Sequence, residues 1–436
     1  MLAAFLTFAA LAADGTARSQ QALDLLADRR ATRRAAFDAF SADFGPGAVA
    51  MALEVQPFVR DPFVADALWI ELTLATGLTD RDAIWQWLWA RPYEPSPDYL
   101  TFKGQLYRGI DPRFEGYFDP TDPAPRIRMD EVRWGGVRQD GIPPLRDARF
   151  DAAGEVPWLN DRDVVFGVVL GDDVVAFPKR ILAWHEMLTT ELDGKPIVGV
   201  YCTLCGSMIV YGATTADGVV HEMGTSGFLY RSNKLMFDRA TQSLWTTLGG
   251  YPVAGPLADQ DLGLPMYSVV TTTWKDWRAR HPESRVLSLR TGHVRDYREG
   301  AAYRDYFATD ALMFTVPAVD GRLDNKAEVL ALRRGDDRLA IAARFLKRRP
   351  VHHDTLDGAR VVVLTDKGGA NRVYAAGDVT FRHFDGKTTA TDTSGTAWTL
   401  AEDGLLSGAR RLERLPSHRA FWFGWHAAFP ETRLVK

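Results

Sequence analysis

The 436-residue chain has two cysteines, and both lie in Tyr201-Cys202-Thr203-Leu204-Cys205-Gly206-Ser207. A C-x-x-C-G run between strand-like segments IVGVY and MIVY reads as a knuckle in which two sulfurs converge. Paired thiolates suit Zn²⁺ or Cu(I), which favour soft ligands. The same spacing serves thiol–disulfide exchange, although a thioredoxin-like site puts its first cysteine at a helix N-terminus and here strand follows strand. A plain structural staple is the third use. Gly206 excludes c-type haem attachment, which needs CxxCH. The His185-Glu186-Met187 order and Tyr201 depart from the H-x-E and P-C-x-x-C pattern of zinc deaminases.

Asp193-Gly194, flanked by EMLTTEL and KPIVGVY, predicts the hairpin that must position these residues, because a type I′ turn requires positive φ at both central residues. Centring the turn there pairs Leu192 with Lys195, Glu186 with Tyr201 and His185 with Cys202. Opposed Cβ atoms in such a ladder lie roughly 4.5–5.5 Å apart. His185, Cys202 and Cys205 then make a Cys2His set with an open fourth position for Zn or Cu; His221 and Met223 are spare ligands. Glu186 is a candidate general base beside a metal-bound water, although the alternation of a strand turns it away from His185. Arg231, Ser232 and Asn233 are expected to line the approach. The reading is a metal-binding protein, open to oxidoreductase or hydrolase chemistry. Its alternatives are a metal-free thiol–disulfide protein and a partner-binding module with structural cysteines.

Self-comparison reveals a duplication. Gly171-Asp172-Asp173 returns as Gly335-Asp336-Asp337, and Leu192-Asp193-Gly194 returns at the same offset as Leu356-Asp357-Gly358. Asp238 and Trp245 correspond to Asp392 and Trp398, and Trp274, Trp277, Pro282 and Glu283 to Trp422, Trp425, Pro430 and Glu431. Two mainly-β repeats, 161–290 and 326–436, each with a short WxxW helix, are therefore expected. The second lacks both cysteines; its hairpin would set Arg349 opposite Asp366 as an ion pair, with His352 and His353 on opposite faces of a strand. The 291–325 connector reads as a strap or a lid, with Asp296 and Tyr297 reaching inward.

Upstream, 14–118 has helical spacing, with Trp85 and Trp89 on one core-facing stripe, and 119–160 is a Pro/Gly-rich connection wrapping the first repeat. The whole is α+β. Residues 1–13 resemble a signal peptide without its positive n-region, so export to the periplasm or cell envelope is expected. A net charge of −4 argues against nucleic acid, and no apolar run is long enough for a membrane span. A small molecule or a protein, of unknown identity, remains as partner.

The runs GGVRQDGIPPL, AFPKRILAWHEM, YCTLCGS, GFLYRSNKLMFDRATQSLW and GPLA resemble the prokaryotic domain-of-unknown-function family 3179 (DUF3179) over about residues 130–436. The resemblance implies that CTLCGS belongs to the family pattern and that members are often exported; it implies no activity, metal or substrate.

Overall fold

A computed structural model describes residues 18–436; the expected signal peptide at 1–13 lies outside the described residues. The chain is α+β, a helical region followed by β-sheets. Helices Arg30–Ser41, Pro46–Val55, Pro62–Thr76, Arg81–Trp89 and Tyr99–Arg108 form the N-terminal region. Local chemistry sets their ends. Asp61 accepts from the Phe63 N–H ahead of Pro62, and Gly77 closes the same helix at φ 72°, the left-handed position that costs glycine least. Trp85 and Trp89 stack with centroids 5.3 Å apart, both buried.

The helices do not core alone. Their apolar cluster includes Phe228, Leu235, Phe237 and Leu244 from a five-stranded sheet made by Val132–Trp134, Met223–Tyr230, Asn233–Asp238, Leu244–Thr246 and Pro252–Ala254. A buried ion pair crosses that boundary. Lys103 Nζ lies 2.5 Å from both the Glu54 carboxylate and the Val132 carbonyl oxygen, and the Tyr99 and Tyr107 hydroxyls also donate to Glu54.

The duplication is visible in three dimensions. Val164–Leu170, Asp173–Pro178, the helix Lys179–His185, Met187–Leu192 and Lys195–Cys202 reappear in order as Glu328–Arg334, Asp337–Ala342, Ala343–Arg348, Val351–Leu356 and Ala359–Thr365. In both copies the first two strands pair with each other and are flanked by the strand before the WxxW helix and the strand after it. The repeated residues have matching tasks. Asp173 accepts from the Asp193 N–H at 2.7 Å and Asp337 from the Asp357 N–H at 2.9 Å, tying one turn of each copy to the next. Trp277 donates to Ser284, and Trp425 to Thr432, each at 2.9 Å. Asp193 and Asp357, with the glycines after them, all have positive φ, as the type I′ turn demands.

The copies share a core: Val198, Met236 and Trp245 of the first cluster with Val329, Ala340, Trp422 and Trp425 of the second. They diverge beyond the hairpin. In the second copy the hairpin continues into an eight-stranded sheet, whereas in the first it belongs to a four-stranded one. The connection before the first copy is ordered: Leu145 bridges Leu188, and Phe150–Ala152 pairs with Arg285–Leu287. No helix among the described residues is long and apolar enough to cross a membrane.

His418, buried beside Trp425, has its pKa lowered by burial from 6.5 to about 4. The unfolded chain therefore binds this proton first, and the stability that the neutral ring secures above pH 6.5 is lost as pH falls to 4. The loss is about 3 kcal/mol. Chemical denaturation at several pH values should show this acid slope, and His418→Gln should flatten it.

Candidate functional site

The predicted register holds from Met187 onward: Met187 faces Val200 and Leu192 faces Lys195. Before Met187 it does not. Lys179–His185 is helical, and Glu186 is its left-handed cap at φ 56°, so the hairpin has no strand residue at 185 to oppose Cys202. The Tyr201 N–H still reaches the Glu186 carbonyl oxygen at 2.8 Å. His185 is fully buried, with Nδ1 2.8 Å from the Pro143 carbonyl oxygen and Nε2 2.6 Å from the Tyr297 hydroxyl. Burial lowers its pKa to about 4. Its recorded contacts include neither cysteine, and among the described residues no group of three or more His, Cys, Asp or Glu side chains could hold a metal. His221 and Met223 are likewise occupied elsewhere. The His221 ring packs on Trp245 and its Nε2 lies 3.1 Å from Thr215 Oγ1, while the Met223 side chain is core.

Cys202 ends one strand and faces Ser207 at the start of the next. The loop between them turns through Gly206 at φ 60°. Cys202 and Cys205 are joined as a disulfide with Cα atoms 5.3 Å apart. Both are buried, Cys202 at 3% exposure and Cys205 at 0%. Cys205 Sγ lies 3.4 Å from the Ser232 carbonyl oxygen, which can accept a hydrogen bond from the thiol once the disulfide is reduced. The Thr203 and Ser207 hydroxyls beside them are buried without a hydrogen-bond partner among the described residues.

The cysteine-free copy builds one wall of this loop. Its Phe421 N–H donates to the Cys205 carbonyl oxygen at 2.7 Å, and a Cβ on Gly206 would lie 2.8 Å from the Phe421 ring. Only glycine fits there. Arg231 and Ser232, both at positive φ, form the two-residue turn between Met223–Tyr230 and Asn233–Asp238. Beyond the Ser232–Cys205 contact, the turn is tied to its surroundings: Arg231 pairs with Glu131 at 2.5 Å and donates to the Ala427 carbonyl oxygen, while Asn233 donates to the Gly424 carbonyl oxygen at 2.9 Å.

A pocket of about 70 Å³ adjoins the loop, with Leu204, between the cysteines, in its wall. Its ionisable groups are Glu186 and Lys234, an ion pair buried at 5% and 7% exposure, and Tyr303, whose pKa is raised by burial and by the neighbouring Glu186 charge; Thr225 also lines it. Burial lowers the Lys234 pKa, opposed by Glu186. Lys234 and Tyr303 carried no sequence signal: one lies inside an apolar strand, the other in the connector. Pro350 occupies the position matching Glu186 in the second copy, so this pair too is confined to the cysteine-bearing copy.

The connector covers the loop, but through residues other than those expected. Asp296 is on the surface, ion-paired with Arg298, and Tyr297 reaches His185. Tyr306, Phe307, Phe314 and Val316 pack with the cysteines, and the Tyr306 hydroxyl donates to the Leu204 carbonyl oxygen at 2.7 Å. Tyr306→Phe is expected to raise the rate of disulfide reduction by a small-molecule dithiol about threefold to tenfold, the Boltzmann factor of one lost hydrogen bond. Stopped-flow thiol titration measures it. In the second copy, the expected Arg349–Asp366 pair is replaced: Asp366 pairs with Arg372 at 3.2 Å, because Arg349 caps a helix. His352 and His353 do diverge, toward Asp354 and Phe381.

These features define an α+β protein built on an internal duplication, with a buried cysteine loop and a charged pocket in the first copy alone. The chain belongs to the family described as "Protein of unknown function (DUF3179)", whose model matches residues 139–432. No curated protein and no solved structure matches the chain.

Proposed function

We propose that this is a thiol–disulfide protein in which Cys202 and Cys205 cycle between disulfide and dithiol. The observation that carries the reading is the pairing of the chain's two cysteines across one tight loop whose Leu204 and Cys205 carbonyl oxygens are held by Tyr306 and Phe421. A thiolate of an external dithiol attacks Cys202, the less enclosed sulfur. Cys205 leaves as thiolate, takes a proton from solvent and, as a thiol, donates a hydrogen bond to the Ser232 carbonyl oxygen. The external dithiol's second thiol then displaces Cys202, so two electrons and two protons pass to the protein and the partner becomes a disulfide. The reverse direction oxidises a partner dithiol. Arg231 and Asn233 act in this reading as positioning residues, and Glu186 holds the adjoining ion pair. Export belongs to the proposal, since disulfides persist in oxidising compartments.

Alkylation under a denaturing quench, followed by mass measurement, tests it. The protein as isolated should take up no alkyl group, and the protein equilibrated in dithiol buffers before the quench should take up two over a defined potential range. Two freely reactive thiols in the protein as isolated would overturn the reading.

A second reading rests on the closeness of the two cysteines, whose Cα atoms lie 5.3 Å apart: the reduced pair holds Zn or Cu through two thiolates. Elemental analysis of the reduced protein should then show about one equivalent of metal, lost in Cys202→Ser. His185→Ala should leave it bound.

A further inference from the structure

Lys234 is a buried cation with spare donors at the edge of a cavity. Its ammonium has three N–H groups, and it is ion-paired with Glu186, while among the described residues no other group hydrogen-bonds Nζ. Glu186 is in turn held by Lys234. The remaining donors lie at a pocket whose other walls are Val137, Ile142, Leu204, Phe228, Leu229 and Phe314. An unfilled donor in such surroundings costs free energy that an acceptor on a ligand recovers.

The charge of the acceptor follows from the same pair. Glu186 and Lys234 neutralise each other, so a ligand carboxylate would enter without a counter-ion and lose its hydration. A neutral carbonyl oxygen accepts the N–H at no such cost, and the apolar walls take a hydrocarbon body.

We infer that the Leu204–Lys234–Tyr303 pocket is a binding site for a small uncharged carbonyl compound with an apolar body, its oxygen on Lys234 Nζ and its hydrocarbon part against Phe228 and Leu229. The site goes beyond the redox reading and does not depend on it, because none of its polar contacts is a cysteine. Leu204 couples the two places: it lines the pocket, and its carbonyl oxygen holds Tyr306 of the covering connector.

Calorimetric titration of the full chain with butanone, 2-methyl-1-butene and propanoate, probes small enough for a cavity of about 70 Å³, tests the inference. Butanone should bind at least about tenfold more tightly than 2-methyl-1-butene, which has the shape without the acceptor. Propanoate should bind more weakly than butanone. The double variant Glu186→Gln/Lys234→Met, which leaves no unpaired buried charge, should remove the preference for butanone over 2-methyl-1-butene while its thermal unfolding confirms that it is folded. Met313→Trp, a change at a half-exposed residue of the pocket, should block all three. The Cys202→Ser/Cys205→Ser chain should bind butanone as the parent does, so failure of the redox reading would leave this result standing. Propanoate bound in preference to butanone, an unchanged preference in the double variant, or no binding at millimolar concentration would overturn the inference.

Discussion

Lys103→Met is expected to lower the unfolding free energy by about 3–5 kcal/mol, the cost of leaving a buried partner charge uncompensated. Lys103 is wholly buried, and burial lowers its pKa while Glu54 opposes the shift. Removing the ammonium strips Glu54 of its counter-charge and the Val132 carbonyl oxygen of its donor. The Tyr99 and Tyr107 hydroxyls remain, and they donate to Glu54 without neutralising it. Because Val132–Trp134 pairs with the strand that ends at Tyr230, next to the Arg231-Ser232 turn, the damage should reach the cysteine loop as well as the helices. Denaturant titration reads the first effect, and faster disulfide reduction the second. Lys103→Met/Glu54→Leu should recover most of the loss, since an apolar pair can replace a buried ion pair at little cost. An equally unstable double variant would show that shape, and not charge, holds this junction.

Reduction of Cys202–Cys205 should cost about 2 kcal/mol of stability, what the loop-entropy relation gives for so short a ring. The loop has little unfolded-state freedom to lose, so the reduced protein stays folded. Denaturation with and without a dithiol measures the difference, and Cys202→Ser/Cys205→Ser should match the reduced parent within experimental error. The reactivity change should be larger than the stability change. Both sulfurs are buried among Leu204, Tyr306, Phe421 and Phe423, surroundings that raise a thiol pKa and suppress the nucleophilic thiolate. Alkylation of the reduced protein should accordingly be slow while the connector is closed, and Tyr306→Phe should accelerate it. Immediate alkylation of both thiols in the folded protein would contradict the burial described here.

Much of the scaffold could be read from local signals. Asp193-Gly194 and Asp357-Gly358 identified two hairpins because few residue pairs tolerate positive φ twice in succession, and the recurrence of Gly-Asp-Asp and WxxW identified the duplication. Trp85 and Trp89 marked a core-facing helical stripe by spacing alone. The site was less legible. Running the strand of EMLTTEL back through His185 carried that residue across to Cys202, whereas KRILAWH forms a helix whose left-handed cap at Glu186 interrupts the ladder. Period-2 arithmetic is valid only inside a strand, and the sequence does not mark where the strand starts as firmly as it marks the turn. Arg231-Ser232 is a turn of the same class written without glycine, and so it carried no turn signal.

By itself, then, the sequence determined the α+β class, the twofold repeat, the register of the cysteine hairpin from residue 187 onward and the confinement of both cysteines to one copy. Each of these depends on neighbours in the chain or on a repeated local pattern. Tertiary structure alone decided what surrounds the sulfurs. Phe421 comes from the sister copy, Tyr306 from the connector, and Lys234 meets Glu186 from a strand in another sheet. Such contacts join residues tens to hundreds of positions apart, and they are selected by the packing of whole sheets against one another, for which no short run of residues carries a code.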